Sequence, residues 1–227
     1  VPHILCNGFT REETEDALIE LNYLGVENLV LIRGDGSPKK DLSPGRSINE
    51  FALDLVEQVD GMNNGHYLGE LEDMEPTDFC IGVSAYPEKH FEAPSMNFDI
   101  ENLLKKQAAG AHYAVTQMFF DNDKFFEFVE EAREAGVTIP ILPGLKVLTT
   151  KKHINRIPSF FHCDFPDELI QRLLKTDTKE QALEVGVDWA YHQALDLLDR
   201  GAGHLHFYIM SRTKPFQMMM DRLVKKM

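Results

Sequence analysis

Residues 28–35 read Asn28-Leu29-Val30-Leu31-Ile32-Arg33-Gly34-Asp35, a short apolar run that ends in a cation, a glycine and an anion. The apolar run is typical of a strand that is buried on both faces, as strands of parallel sheets are. A buried strand holds an unpaired charge only at a large cost, so Arg33 and Asp35 belong at its carboxyl end. Folds that alternate strands and helices bind their ligands at that end. The stretch therefore indicates a ligand site, although a solvated turn would show the same residues.

Five other segments of the chain repeat the order of strand, loop and helix. Strands are predicted over residues 2–6, 79–86, 113–119, 138–142 and 204–210, with helical segments after them. Three helix starts carry a capping-box pattern, namely Thr10 with Glu13, Ser47 with Glu50, and Thr178 with Gln181. Strict alternation of strands and helices predicts a parallel sheet with right-handed crossover connections.

Two α/β architectures fit this alternation. An open doubly wound sheet would carry a glycine-rich phosphate fingerprint after its first strand, and Asn7-Gly8-Phe9-Thr10 is not one. A barrel has eight strands and about 250 residues. We therefore expect a (β/α)8 TIM barrel whose first two βα units are absent from this chain. Residues 1–227 would form a single catalytic domain, with an acidic surface insertion at about residues 60–78.

The composition limits the classes of partner. The chain has 227 residues and a formal net charge of −14, which argues against a nucleic-acid or anionic-membrane surface. No run is apolar enough to span a bilayer. Three cysteines, Cys6, Cys80 and Cys163, show no CxxC spacing and are expected to be reduced thiols in the cytoplasm.

In a barrel the six strand ends would meet at one mouth. They would bring together His3, Asn7, Arg33, Asp35, Tyr86, Glu88, His90, Gln117, Lys146, Tyr208 and Arg212. This set lacks a serine beside a histidine and an aspartate, which disfavours nucleophilic hydrolysis.

A metal-dependent barrel hydrolase is one alternative. His204 and His206, with His3 and His90, could supply imidazole ligands to a divalent ion. However, His204 lies near the start of its predicted strand, away from the mouth. Two structural histidines explain the pattern more simply, and we expect no metal.

An anionic aromatic cofactor is the other alternative. Asn102 and Lys106 are four residues apart and share a helix face. Lys105, Lys106 and Arg33 would suit a pyrophosphate in so acidic a protein, although a solvated pair of lysines is equally consistent with the residues alone.

Six short motifs at the predicted strand ends carry a family resemblance. They are Pro2-His3-Ile4-Leu5-Cys6, Leu31-Ile32-Arg33-Gly34-Asp35, Ala85-Tyr86-Pro87-Glu88-Lys89-His90, Thr116-Gln117-Met118-Phe119-Phe120-Asp121, Ile141-Leu142-Pro143-Gly144, and His206-Phe207-Tyr208 through Arg212. In this order they make residues 2–212 resemble the methylenetetrahydrofolate reductases, flavin-dependent barrel enzymes of one-carbon metabolism.

The resemblance implies site residues. The positions that hold FAD in the family fall on His3, Arg33, Gly34, Asp35, Ala52, Tyr86, His90, Ala93, Asp99, Asn102, Lys105 and Lys106. Asp35 also falls on the catalytic carboxylate that meets the folate and tunes the flavin. Gln117 and Arg212 fall on substrate positions, and His153 stands where family members can carry a substrate-contacting glutamine. The family's general acid, a glutamate of the first barrel strand, is expected on the N-terminal side of this chain.

The implied activity is the FAD-dependent reduction of 5,10-methylenetetrahydrofolate to 5-methyltetrahydrofolate, with NADH or NADPH as the hydride donor. The partners would be the folate and the nicotinamide dinucleotide, and we expect a homo-oligomer. A further alternative is a non-catalytic flavin-binding relative or subunit of such a reductase.

Overall fold

The computed structural model describes residues 1–34, 46–69, 74–209 and 213–226. The strands are β1 (His3–Leu5), β2 (Asn28–Ile32), β3 (Cys80–Ala85), β4 (Tyr113–Met118), β5 (Ile141–Leu145) and β6 (His206–Phe207). The helices are α1 (Arg11–Tyr23), α2 (Ala52–Asn63), α3 (Met96–Ala108), α4 (Asn122–Glu134), α5 (His153–Phe161), α6 (Asp167–Leu174), α7 (Lys179–Asp199) and α8 (Thr213–Val224). The predicted alternation of strands and helices is confirmed.

The six strands follow one another across the sheet in chain order. The pairs β1–β2, β2–β3 and β5–β6 are parallel, with His3 opposite Val30, Asn28 opposite Cys80, and Gly144 opposite His206. Parallel neighbours place their carboxyl ends along the same edge of the sheet, which is the edge where α/β proteins bind ligands.

Two of the three predicted capping boxes are present. Thr10 caps α1 with Glu13, and Thr178 caps α7 with Gln181. The prediction for Ser47 and Glu50 is wrong, because α2 begins five residues after Ser47, and the Asp54 carboxylate accepts the N–H groups of Glu50 and Phe51, the two residues that precede the helix.

The fifth strand differs most from its prediction. We expected it over residues 138–142 with a break at Pro143-Gly144, but β5 runs through both residues to Leu145. The reason is tertiary: Gly144 and Leu145 pair with β6, and the Gly144 N–H donates to Thr116 Oγ1 at 2.8 Å. The sixth strand is shorter than predicted, and Met210 lies outside the described residues.

The acidic surface insertion expected at about residues 60–78 differs from the observed structure at both of its ends. Helix α2 continues to Asn63 because Val59 and Met62 extend its fully buried face. The Asn63 side chain accepts the Thr77 hydroxyl at 2.7 Å and the Phe79 N–H at 2.9 Å, which fixes the segment before β3 to the end of α2.

The chain divides into two compact units by its internal contacts. The first contains residues 1–84, 100–114 and 137–140, and the second contains residues 85–99, 115–136 and 141–227. In the first, α2 packs on β2, whose Leu29 and Leu31 are fully buried. The second has two apolar clusters, one around Phe119 and Leu145 with α7 and α8, the other around Phe120 and Leu148 with α5 and α6.

Candidate functional site

The Arg33-Gly34 turn of the first unit is held against the end of β1. The Asn7 N–H donates to the Arg33 carbonyl at 3.0 Å, and the Asn7 side-chain amide donates to the Gly34 carbonyl at 3.1 Å. Gly34 has φ +87, a conformation that glycine adopts without steric cost. A Cβ there would also lie 3.4 Å from Leu5 Cδ2. The turn that the sequence singled out is therefore fixed by its backbone.

Arg33 and Lys106, two cations that were predicted to bind the cofactor, both influence the pKa of the Cys6 thiol at the end of β1. Burial, followed by the charge of Asp54, raises the pKa of the Cys6 thiol to about 11, and the charges of Arg33 and Lys106 oppose that shift. Arg33 follows β2 and Lys106 lies on α3, so the fold brings cations from two different βα units within electrostatic reach of the same sulfur atom. The charge of Asp54 acts on the same sulfur atom, so these two cations lie near an anion in a chain whose net charge is −14.

The two adjacent lysines of α3 differ in their exposure to solvent. Lys106 is partly buried and its Nζ donates to the Ser84 carbonyl at 3.2 Å, near the carboxyl end of β3. Asn102, one turn earlier, is also partly buried, whereas Lys105 is exposed. Two further predicted residues of this unit are Ala52, which is buried at the start of α2, and His3, which is exposed on β1.

In the second unit, four predicted cofactor residues lie in and beside one loop, residues 86–95. The rings of Tyr86 and His90 meet edge to face at 4.6 Å, and the Ala93 N–H donates to the His90 carbonyl at 2.9 Å. Asp99 Oδ2 accepts the His90 N–H at 2.7 Å, so this carboxylate positions the loop that the sequence assigned to the cofactor. Lys89 Nζ donates to the Ala93 carbonyl at 2.6 Å and closes the loop on itself.

A narrow cleft in the same unit is lined by Tyr86 and Gln117. Its other walls come from the segment that starts at Pro87 and from residues 161–163 after α5. The side-chain oxygen Oε1 of Gln117 accepts the Met118 N–H at 2.9 Å, so the side-chain NH₂ group is oriented away from that bond and can donate to a ligand. His153 is placed differently: its Nδ1 accepts the Thr149 N–H at 3.3 Å at the start of α5, and it does not line this cleft.

Two residues of the second unit were left without a role by the sequence. Glu88 is partly buried, and its carboxylate accepts the Asp164 N–H at 3.1 Å. Burial raises the pKa of Glu88 to about 7, the hydrogen bond from the Asp164 N–H opposes that shift, and the Asp164 charge adds to it. Lys146 is partly buried, burial lowers its pKa, and its Nζ donates to the Tyr208 carbonyl at 3.2 Å. Neither partner is near in sequence, so only the fold reveals these contacts.

Asp35 and Arg212 lie outside the described residues. Among the residues that are described, no three His, Cys, Asp or Glu side chains are grouped to hold a metal ion. Cys6, Cys80 and Cys163 are all free thiols. In the same part of the chain, no helix is both long and apolar enough to cross a membrane.

Comparison with known proteins identifies the family of this chain. A family model described as methylenetetrahydrofolate reductase matches residues 1–224. The chain belongs to the methylenetetrahydrofolate reductase family. The predicted family is thus confirmed over nearly the whole chain.

Individual members of the methylenetetrahydrofolate reductase family give the extent of the likeness. Methylenetetrahydrofolate reductase 1 of Schizosaccharomyces pombe is 31% identical over 222 residues, which cover 97% of this chain and 35% of the relative. The 5,10-methylenetetrahydrofolate reductase of Salmonella typhimurium is 32% identical over 216 residues, which cover 94% of this chain and 66% of the relative. The chain therefore spans about a third of the length of the first of these relatives.

One solved structure has a similar fold. It is an uncharacterized protein from Clostridium thermocellum that binds two copies of 5-methyl-5,6,7,8-tetrahydrofolic acid. The likeness has a TM-score of 0.57 at 14% identity and covers all of this chain and 71% of the other. At that identity the likeness supports the α/β fold that this methylenetetrahydrofolate reductase family member was predicted to have.

Proposed function

We propose that the protein is a flavin-dependent reductase that converts 5,10-methylenetetrahydrofolate to 5-methyltetrahydrofolate with NADH or NADPH. Family membership supports the reaction. The observation that carries the flavin assignment is the placement of two cations near strand ends: Arg33 directly follows β2, and Lys106 Nζ reaches the Ser84 carbonyl near the end of β3. Two guanidinium or ammonium groups at strand ends are suited to a pyrophosphate.

The first unit fits the phosphate-bearing part of FAD. Gly34 lets the turn pack against the end of β1, because a Cβ there would lie 3.4 Å from Leu5 Cδ2. Arg33, Asn102 and Lys106 would hold the phosphates and Lys105 would add charge from an exposed position. When bound, FAD supplies the hydride chemistry, accepting a hydride from the nicotinamide and passing one to the folate.

The second unit supplies residues for the remaining contacts in this proposal. Tyr86 and His90 present rings from a loop that Asp99 and Lys89 fix, and Ala93 lies buried behind them. Gln117 would donate from its side-chain amide to the folate, as the resemblance implies. Asp35, Arg212 and His153 keep the roles implied by the resemblance.

The proposal includes a (β/α)8 barrel as the architecture and a single catalytic domain. Strands in consecutive order are what a barrel requires, whereas a doubly wound sheet reverses its order at the ligand site. It also includes a cytoplasmic location and a homo-oligomer, in keeping with the sequence analysis.

The two lysines of α3 provide a matched pair of variants. We predict that Lys106→Met raises the Kd for FAD about 100-fold, because a partly buried charge-assisted contact contributes about 2–3 kcal/mol. We predict that Lys105→Met changes the Kd less than about threefold, since an exposed charge is screened by solvent. Flavin fluorescence during titration of each purified variant measures both values. An equal increase in the Kd for FAD in the two variants would contradict the assignment of Lys106 to the phosphates.

The activity is tested by two half-reactions under anaerobic conditions. NADH or NADPH should remove the visible flavin absorption of the purified protein, and 5,10-methylenetetrahydrofolate should restore it with formation of 5-methyltetrahydrofolate. If NADH or NADPH removes the flavin absorption and the folate does not restore it, the result would instead support a non-catalytic flavin-binding relative. A colourless protein with a stoichiometric divalent ion would support the metal-dependent hydrolase.

A further inference from the structure

The 86–95 loop is attached to the turn after α5 by two contacts within the second unit. The Asp164 N–H donates to Glu88 Oε2 at 3.1 Å, although the two residues are 76 apart in the chain. The rings of Phe91 and His162 stack at 4.6 Å with 24° between their planes. Residues 162–164 are therefore held beside the loop that carries Tyr86 and His90.

Both sides of this attachment have unusual backbone conformations. Lys89 has φ +69 and His162 has φ +52, and within the described ranges they are the two non-glycine residues with positive φ. Such conformations cost free energy and persist where surrounding contacts fix them, often at functional sites. Lys89 follows Glu88 directly, and His162 precedes Asp164 by two residues. The strained positions thus coincide with the attachment and occur on both of its sides.

We propose that Glu88 is a positioning residue, whose carboxyl group clasps the 162–164 turn to the 86–95 loop and thereby fixes Tyr86 and His90 for the cofactor. The consequence for the cofactor rests on the proposed flavin site, whereas the clasp itself is a property of the protein alone. The loop is otherwise fixed from α3 through Asp99, so the clasp supplies its second attachment.

The groups that face Glu88 give the clasp a dependence on pH. Asp164 and Asp121 contribute negative charge, Lys124 contributes positive charge, and the buried Cys163 belongs to the 162–164 turn itself. Burial holds the pKa of Glu88 near 7, above its ordinary value. The clasped state therefore binds a proton more tightly than an open state with a solvated carboxyl group. By linkage, the clasp weakens as the pH rises through 7.

Amide hydrogen exchange at Asp164, measured without cofactor between pH 6 and 8, tests the clasp. Glu88→Ala removes the acceptor, so we expect protection at Asp164 to fall about tenfold at pH 6 relative to the unmodified protein. Glu88→Gln keeps an acceptor oxygen that does not titrate, so its protection should remain and should not vary with pH. The unmodified protein should lose protection as the pH rises. Unchanged protection in Glu88→Ala, or the same pH dependence in Glu88→Gln, would overturn the clasp.

FAD affinity over the same pH range tests the positioning role, with Glu130→Ala, an exposed glutamate of α4, as the control. We expect Glu88→Ala to raise the Kd about tenfold at pH 6, Glu88→Gln to show a Kd independent of pH, and the control to match the unmodified protein. An identical Kd in all variants, together with lost protection in Glu88→Ala, would overturn positioning. Absence of FAD binding by the unmodified protein would overturn the flavin site, while the exchange result would still decide the clasp.

Discussion

Replacing Gly144 with alanine is expected to lower the free energy of unfolding by about 3 kcal/mol, the upper end of the usual cost of overpacking. A Cβ at this position would lie 2.1 Å from the Thr116 carbonyl oxygen and 2.7 Å from the Tyr208 ring. Neither neighbour can move easily. Thr116 is fully buried, its carbonyl accepts the Tyr208 hydroxyl at 2.8 Å, and the Tyr208 N–H donates to Leu145.

Urea unfolding of Gly144→Ala beside Gly203→Ala measures this cost. Gly203 has no heavy atom within 4 Å of an added Cβ, so its substitution should change the unfolding free energy by less than about 0.5 kcal/mol. A Gly144→Ala protein as stable as the Gly203→Ala protein would show that the junction of β4, β5 and β6 is not packed as described.

Replacing Glu88 with glutamine is expected to stabilise the protein by about 1–2 kcal/mol at pH 8 relative to its effect at pH 4.5, less than the full pKa difference would give because solvent screens a partly exposed carboxyl group. The folded-state pKa of about 7 lies above the ordinary value of 4.5, so the folded protein binds the proton more tightly. Each unit of pKa difference corresponds to about 1.4 kcal/mol. The unmodified protein loses this stability as the pH rises from 4.5 to 7, and the loss is complete above pH 7. Glutamine has no proton to lose.

Thermal or urea unfolding of both proteins across pH 4.5–8 gives the difference curve. The exposed Glu130→Gln substitution serves as the control, and its difference from the unmodified protein should stay flat with pH. A flat curve for Glu88→Gln would mean that the Glu88 carboxyl group is as well solvated in the folded protein as in the unfolded chain.

Local sequence signals predicted the elements whose causes are local. The Thr10–Glu13 and Thr178–Gln181 pairs satisfy helix N-termini within four residues, so their pattern is sufficient. The apolar run before Arg33 is buried as expected. The resemblance identified the family, because six ordered motifs lie near strand ends where ligands bind.

Features that depend on distant partners could not be read from the sequence. Pro143-Gly144 indicates a break, yet β5 continues through it because Thr116 and β6 supply hydrogen bonds from elsewhere in the chain. Likewise, Glu88 reads as one more surface carboxylate until the fold brings Asp164 to it. Asp99 also has a contact that the sequence does not show, because its carboxylate accepts the His90 N–H.

The visible absorption spectrum of the purified protein, with the cofactor then released by heat and identified by mass, tests the central claim most directly. We expect a yellow protein that contains about one FAD per chain, or that binds added FAD until it reaches that ratio. A colourless protein that binds no added FAD would contradict the claim that Arg33 and Lys106 hold the phosphates of a flavin.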